Sequence, residues 1–151
     1  MFRSTRRIIS LLVMLCLIIS GVFVYTVTPV FAASCSGTGC DGKDPDTTGC
    51  SSSAYNVETI NIISSGRYIG TADLRWSPTC ETNWGRAYKS SGGSETVDAR
   101  VYNIDRGIGY VGFGFGGPGT TVWSPMVHAP TTRSKGCGAI GGVGWQCTSY
   151  H

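Results

Sequence analysis

Seven cysteines are spread over the 151 residues, and one of them, Cys16, falls inside an apolar N-terminal run. The six that follow, Cys35, Cys40, Cys50, Cys80, Cys137 and Cys147, limit what the chain can fold into more than any other feature. An even cysteine count in a small exported protein reads as a disulfide framework. A zinc knuckle would need paired C-x-x-C units or histidines at ligand spacing, and His128 and His151 stand far from the N-terminal cysteines. With all six paired, none remains to act as a catalytic thiol, and neither a metal nor a cofactor is expected. Six cysteines allow 15 pairings. Cys137 and Cys147 bracket a glycine-rich segment far from the other four, so they are expected to bridge each other, which stabilises by roughly 2.5–3 kcal/mol in the chain-entropy picture.

The framework presupposes export, and the N-terminus supplies a reason for it. Arg3, Arg6 and Arg7 precede a long apolar run from Ile8, and no further charge occurs before Asp41. Val30 and Ala32 place small residues three and one before a cut after Ala32, so residues 1–32 read as a signal peptide and 33–151 as a single secreted β domain. The run is also long enough to span a bilayer as an uncleaved anchor; Pro29 and the small residues beside it favour cleavage. The leader holds three of the 12 Lys+Arg and none of the 9 Asp+Glu, leaving nine of each and a formal charge of zero. A neutral chain lacks the basic footprint that a phosphate backbone requires, which sets nucleic acid aside.

After the leader, residues 33–53 contain almost no apolar side chain besides cysteine and are expected to form a loop region held by its bridges. Tyr55 to Ile63 and Tyr68 to Trp76 read as two strands joined at Ser64-Ser65-Gly66, with Tyr68, Gly70, Ala72, Leu74 and Trp76 on one face and Asp73 and Arg75 on the other. Asn83 to Lys89 is ambiguous, and Ser90 to Ser94 suits a hairpin turn. Val97 to Ile104 alternates again, Gly107 to Phe115 sets Phe113 and Phe115 opposite glycines, and Val122-Trp123 begins a last short stretch. No window carries a helical period. Five or six short strands of this kind favour a small antiparallel barrel or sandwich with a cysteine-rich N-terminal loop, an all-β fold.

The motifs with chemical associations are weak. Two G-x-G-x-x-G matches, at Gly107 and Gly112, have no helix after them and do not describe a dinucleotide loop. Asp44-Pro45-Asp46 opens like a calcium loop, but the twelfth position is Tyr55 where a bidentate carboxylate is needed, so an Asx turn is expected. His128 has no nucleophile elbow to accompany it. Four tryptophans and six tyrosines after the leader exceed what so small a core needs, which suits rings exposed for stacking on sugars or on a protein.

Two strings together resemble a known family. Cys35-Ser-Gly-Thr-Gly-Cys40-Asp-Gly-Lys-Asp-Pro-Asp-Thr-Thr-Gly-Cys50 and Leu74-Arg75-Trp76-Ser77-Pro78-Thr79-Cys80-Glu81-Thr82-Asn83-Trp84-Gly85-Arg86 closely resemble the domain of unknown function 2690, with Trp76 for its usual Tyr and Gly85 for its usual Ala. The resemblance spans Cys35 to about Lys89 and implies a secreted or membrane-tethered extracytoplasmic domain, without implying an activity. Arg75, Trp76, Trp84 and Arg86 lie close to Cys80 in sequence. A bridge from Cys80 would bring them beside the Asp41-Asp44-Asp46 loop, either for guanidinium–carboxylate pairing or as a site for an anionic or sugar group with Trp84 as platform and Arg75 or Arg86 as charge.

These readings converge on an extracellular, monomeric module, secreted or associated with the cell envelope, that binds a cell-wall glycan or an extracellular protein and makes no membrane contact once the leader is cut. A small secreted hydrolase and a secreted antagonist of other cells are the alternatives. The intact mass of the exported protein is expected to equal residues 33–151 less six hydrogens; a retained leader or free thiols under denaturing alkylation would contradict this.

Overall fold

Alternation along Tyr68 to Trp76 predicts one buried face, and in the computed structural model, which describes residues 32–151, Gly70, Ala72 and Leu74 are buried on that face. The leader reading lies outside the described residues. The strands are β1 (Tyr55–Ser64), β2 (Arg67–Ser77), β3 (Thr82–Lys89), β4 (Glu95–Asn103), β5 (Ile108–Gly116), β6 (Thr121–Trp123), β7 (Val127–His128), β8 (Ser134–Ile140) and β9 (Gln146–Cys147). One antiparallel sheet runs β1-β2-β3-β6, with β7 also paired to β3, and the second runs β5-β4-β8-β9. The sheets do not close on each other. The fold is an all-β sandwich, which decides between the two expected architectures.

Small residues fill the space between the layers. Ile62, Ala72 and Ala87 meet Val97, Ala99 and Ile140, and a second cluster joins Leu74, Val101 and Val127. Backbones come close enough to require glycine: a Cβ on Gly85 would stand 2.1 Å from the Arg100 carbonyl oxygen, and one on Gly136 would stand 2.3 Å from that of Asp73. Gly85 is the position where the family resemblance carries Ala, so this chain departs from it at a point of tight approach between the sheets.

Residues 33–53 form turns and two short 3-10 segments, Gly37–Cys40 and Cys50–Ser53. The bridges are Cys35–Cys40, Cys50–Cys80 and Cys137–Cys147. The last joins directly opposed residues of β8 and β9, as the spacing predicts. Cys50–Cys80 fastens the N-terminal loop to the turn between β2 and β3, and Cys40, Cys50 and Cys80 are fully buried against Trp84 and Met126. The sulfurs of this loop supply much of its apolar surface.

One open segment is settled and two expectations are corrected. Asn83 to Lys89 is the central strand β3, covered by the second sheet on one face and by the N-terminal loop on the other, so alternation of hydrophobicity along it is lost. Ser90 to Ser94 is no hairpin turn: β3 and β4 lie in different sheets, and the segment crosses between them beside the buried Lys89, whose ammonium pairs with Glu95. The strand count of five or six omitted the two-residue β7 and β9 and also β8, whose Gly136 and Gly138 hide its buried character.

Bridge size decides which disulfide matters most to stability. Removing both sulfurs of Cys50–Cys80 by serine substitution should cost roughly 3–4 kcal/mol, against about 2 kcal/mol for the short Cys35–Cys40 ring. Chemical denaturation of the two double variants checks the order; equal losses would show that ring closure is not how these bridges act.

Candidate functional site

The outer face of the first sheet, where it meets the N-terminal loop, gathers most of the side chains singled out in the sequence. Period-two alternation sends Asp73 and Arg75 of β2 and Trp84 and Arg86 of β3 to this face, and register places Arg75 opposite Trp84 and Asp73 opposite Arg86. Trp123 of β6 pairs in register with Arg86. A cleft of about 180 Å³ opens here, lined by Asp46, Arg75, Trp84, Arg86, Thr121 and Trp123. Trp84 is only 2% exposed and forms part of the packed floor. The Arg75 guanidinium lies 5.7 Å from its ring centroid, a cation–π separation.

The ion pairs differ from those the sequence suggests. Arg86 binds Asp73 within the sheet, at 2.7 Å from both Nε and Nη2 to Oδ2. Arg75 donates to Asn56 Oδ1 at 2.6 Å and to the Ala54 carbonyl at 3.1 Å, and among the described residues it joins no salt bridge. Burial lowers the Arg75 pKa, and the neighbouring Arg86 charge adds to the effect. Asp41 instead takes a two-pronged contact from Arg106, at 3.1 and 2.6 Å, and the His128 amide at 2.6 Å. Asp44 accepts the Trp123 indole N–H at 2.8 Å, and its other oxygen accepts the amides of Asp46 and Thr47 at 2.9 Å each, the expected Asx turn. Of the loop aspartates, Asp46 is the one that lines the cleft. The loop is thus held by Arg106 and Trp123, residues that nearness to Cys80 in sequence could not indicate.

Trp76 is on the opposite face from Arg75, as alternation requires, and borders a separate hollow of about 300 Å³ with Tyr55, Pro130, Arg133 and His151. His128 Nε2 lies 3.7 Å from Glu81 Oε2, and among the described residues no serine hydroxyl is hydrogen-bonded to either imidazole. The sulfurs of Cys35, Cys40, Cys50 and Cys80 lie within 4.8 Å of one another, joined as two bridges.

A third surface was not singled out as a site in the sequence. Phe113 and Phe115 project from β5 at 77% and 72% exposure. The alternating Gly112 and Gly114 face inward, where a Cβ on Gly112 would stand 2.0 Å from the Trp123 carbonyl oxygen. Both rings border a groove of about 540 Å³ with Thr121, Trp123 and Pro125, between the edge strands of the two sheets. The alternation of glycine with phenylalanine over 112–115 was the available signal.

Comparison with known proteins adds the family. The model described as a protein of unknown function, DUF2690, matches residues 38–137, about two thirds of the chain. This chain belongs to the DUF2690 family. The match extends beyond the two cysteine strings through β4, β5 and β6 into β8, and it stops short of Cys35 and Cys147, each the partner of a matched cysteine. No curated protein and no solved structure matches the chain. Among the described residues no helix is long and apolar enough to cross a membrane. The disulfide-rich, all-β character of this DUF2690 chain suits an oxidising, extracellular setting.

Asp41 carries a testable electrostatic load. Burial pushes its carboxyl up, but the Arg106 and His128 hydrogen bonds and the Arg106 charge together hold it below its ordinary value. A depressed folded-state pKa contributes stability that is present above the unfolded value, near 4, and is lost as pH falls through the folded value. Asp41→Asn is expected to lower stability by about 1–3 kcal/mol at neutral pH and to flatten the loss of melting temperature below about pH 4. An unchanged acid slope would show that Asp41 does not carry this load.

Proposed function

We propose that this DUF2690 protein is a secreted binding module that holds a glycan of the cell envelope on its β5 surface. The supporting observation is the pair Phe113 and Phe115, two neighbouring rings that stay in solvent while Gly112 and Gly114 take the inward positions beside them. Their positions, two residues apart on one face, set the rings about 7 Å apart along the strand, a spacing that lets them cover adjoining parts of one extended ligand. Rings exposed on a neutral chain suit stacking on sugar faces rather than charge pairing. The groove beside them, with Thr121 and Trp123 on its far wall, offers hydroxyl and ring contacts to a chain lying along β5. Three bridges suit the oxidising space outside the cell.

Since both rings are exposed, Phe113→Ser combined with Phe115→Ser should leave the melting temperature within a degree or two and reduce co-sedimentation with purified cell-wall glycan about tenfold or more. Wild-type protein that does not sediment with glycan, or a double variant that sediments as well as wild type, would sink the glycan reading. Loss of an extracellular protein partner with the same double variant would move the assignment to protein recognition.

A further inference from the structure

The cleft over Trp84 contains opposite charges that do not meet. On its sheet side the acceptors of Arg75 among the described residues are neutral, Asn56 Oδ1 and the Ala54 carbonyl. Arg86 beside it is committed to Asp73. On the loop side Asp46 is exposed, its amide bound to Asp44, and among the described residues its carboxylate accepts no hydrogen bond and joins no ion pair. Arg75 and Asp46 line the same space yet are not in salt-bridge contact. The volume of about 180 Å³ corresponds to about six waters at ~30 Å³ each, which is room for one group of amino-acid size.

The charges restrict what such a group can be. A neutral sugar would leave the partly buried Arg75 guanidinium with no carboxylate in direct contact, since Asp73 and Asp46 act on it only from a distance. A dianion such as phosphate would satisfy Arg75 but meet Asp46 on the facing rim. A monoanion carrying its own cation answers both. We infer that this cleft binds a small zwitterionic group, a carboxylate beside an ammonium as in a free amino-acid unit, with Arg75 holding the carboxylate and Asp46 the ammonium. Guanidinium offers a planar donor fork to the carboxylate, and the indoles of Trp84 and Trp123 form the apolar walls. Trp123 is fixed by its bond to Asp44, and Arg75 is fixed by its stacking on Trp84, so the site is preformed. This site lies on a different surface from Phe113 and Phe115 and does not depend on the glycan reading.

The test is a set of nuclear magnetic resonance titrations on the oxidised protein, following the indole N–H signals of Trp84 and Trp123. Three probes separate the charges: racemic alanine carries both, N-acetylalanine only the carboxylate, and alanine methyl ester only the ammonium. Alanine should give saturable shifts at millimolar concentration, and each capped probe should bind about tenfold more weakly. Asp46→Asn, at an exposed position outside the packed loop core, should weaken alanine about tenfold while leaving N-acetylalanine as tight as before or tighter. Arg75→Gln should abolish both, and the Phe113→Ser, Phe115→Ser double variant should change neither. Absence of a saturable alanine shift, equal affinity for all three probes, or an Asp46→Asn titration identical to wild type would overturn the proposal.

Discussion

The close approach of the two sheets governs the rest of the molecule. Sheets that pack through ordinary side chains lie about 10 Å apart; here Gly85 and Gly136 present bare backbone to the carbonyls of Arg100 and Asp73. An interior this thin admits Ala, Val, Ile and Leu but has little room for indoles or phenyl rings. The aromatic surplus of the sequence is therefore displaced outward. Trp84 goes to the outer face of β3, where a loop must cover it, and Phe113 and Phe115 go to the outer face of β5, where nothing among the described residues does.

Covering Trp84 is the task of the N-terminal loop, and the loop's composition explains its means. With hardly any aliphatic side chains, residues 33–53 cannot recover by burial the entropy lost on ordering. Buried sulfur supplies the apolar contact, the Cys50–Cys80 bridge supplies the anchor, and Asp41 and Asp44 complete the attachment through Arg106 and Trp123. The cleft, where Arg75 and Asp46 face the same space and join no ion pair among the described residues, is the seam this loop leaves along the sheet.

Much of the fold was legible because it obeys local rules. β1, β2, β4 and β5 announce themselves by alternation, and Cys137–Cys147 by its isolation from the other cysteines. β3 was not legible as a strand because both its faces are buried, by different means, and β8 because glycine stands where a core side chain would mark it. The cluster around Arg75, Trp84 and Arg86 was legible as a neighbourhood. Its pairings were not, since the carboxylate that holds Arg86 comes from the adjacent strand and the cation that holds Asp41 from residue 106, long-range choices that no local pattern encodes. Phe113 and Phe115 were visible as a pattern, yet which side of β5 faced water depended on the sheet pairing.

The two-sided burial of β3 has an evolutionary corollary. A strand with one face in solvent can exchange half of its residues at little energetic cost, whereas β3 has its inward positions set by the approach of another backbone and its outward ones by the loop above. β5 is the opposite case over its second half, with glycine at the inward positions 112 and 114 and exposed rings at 113 and 115, so the phenylalanine positions are free to change without disturbing the packing.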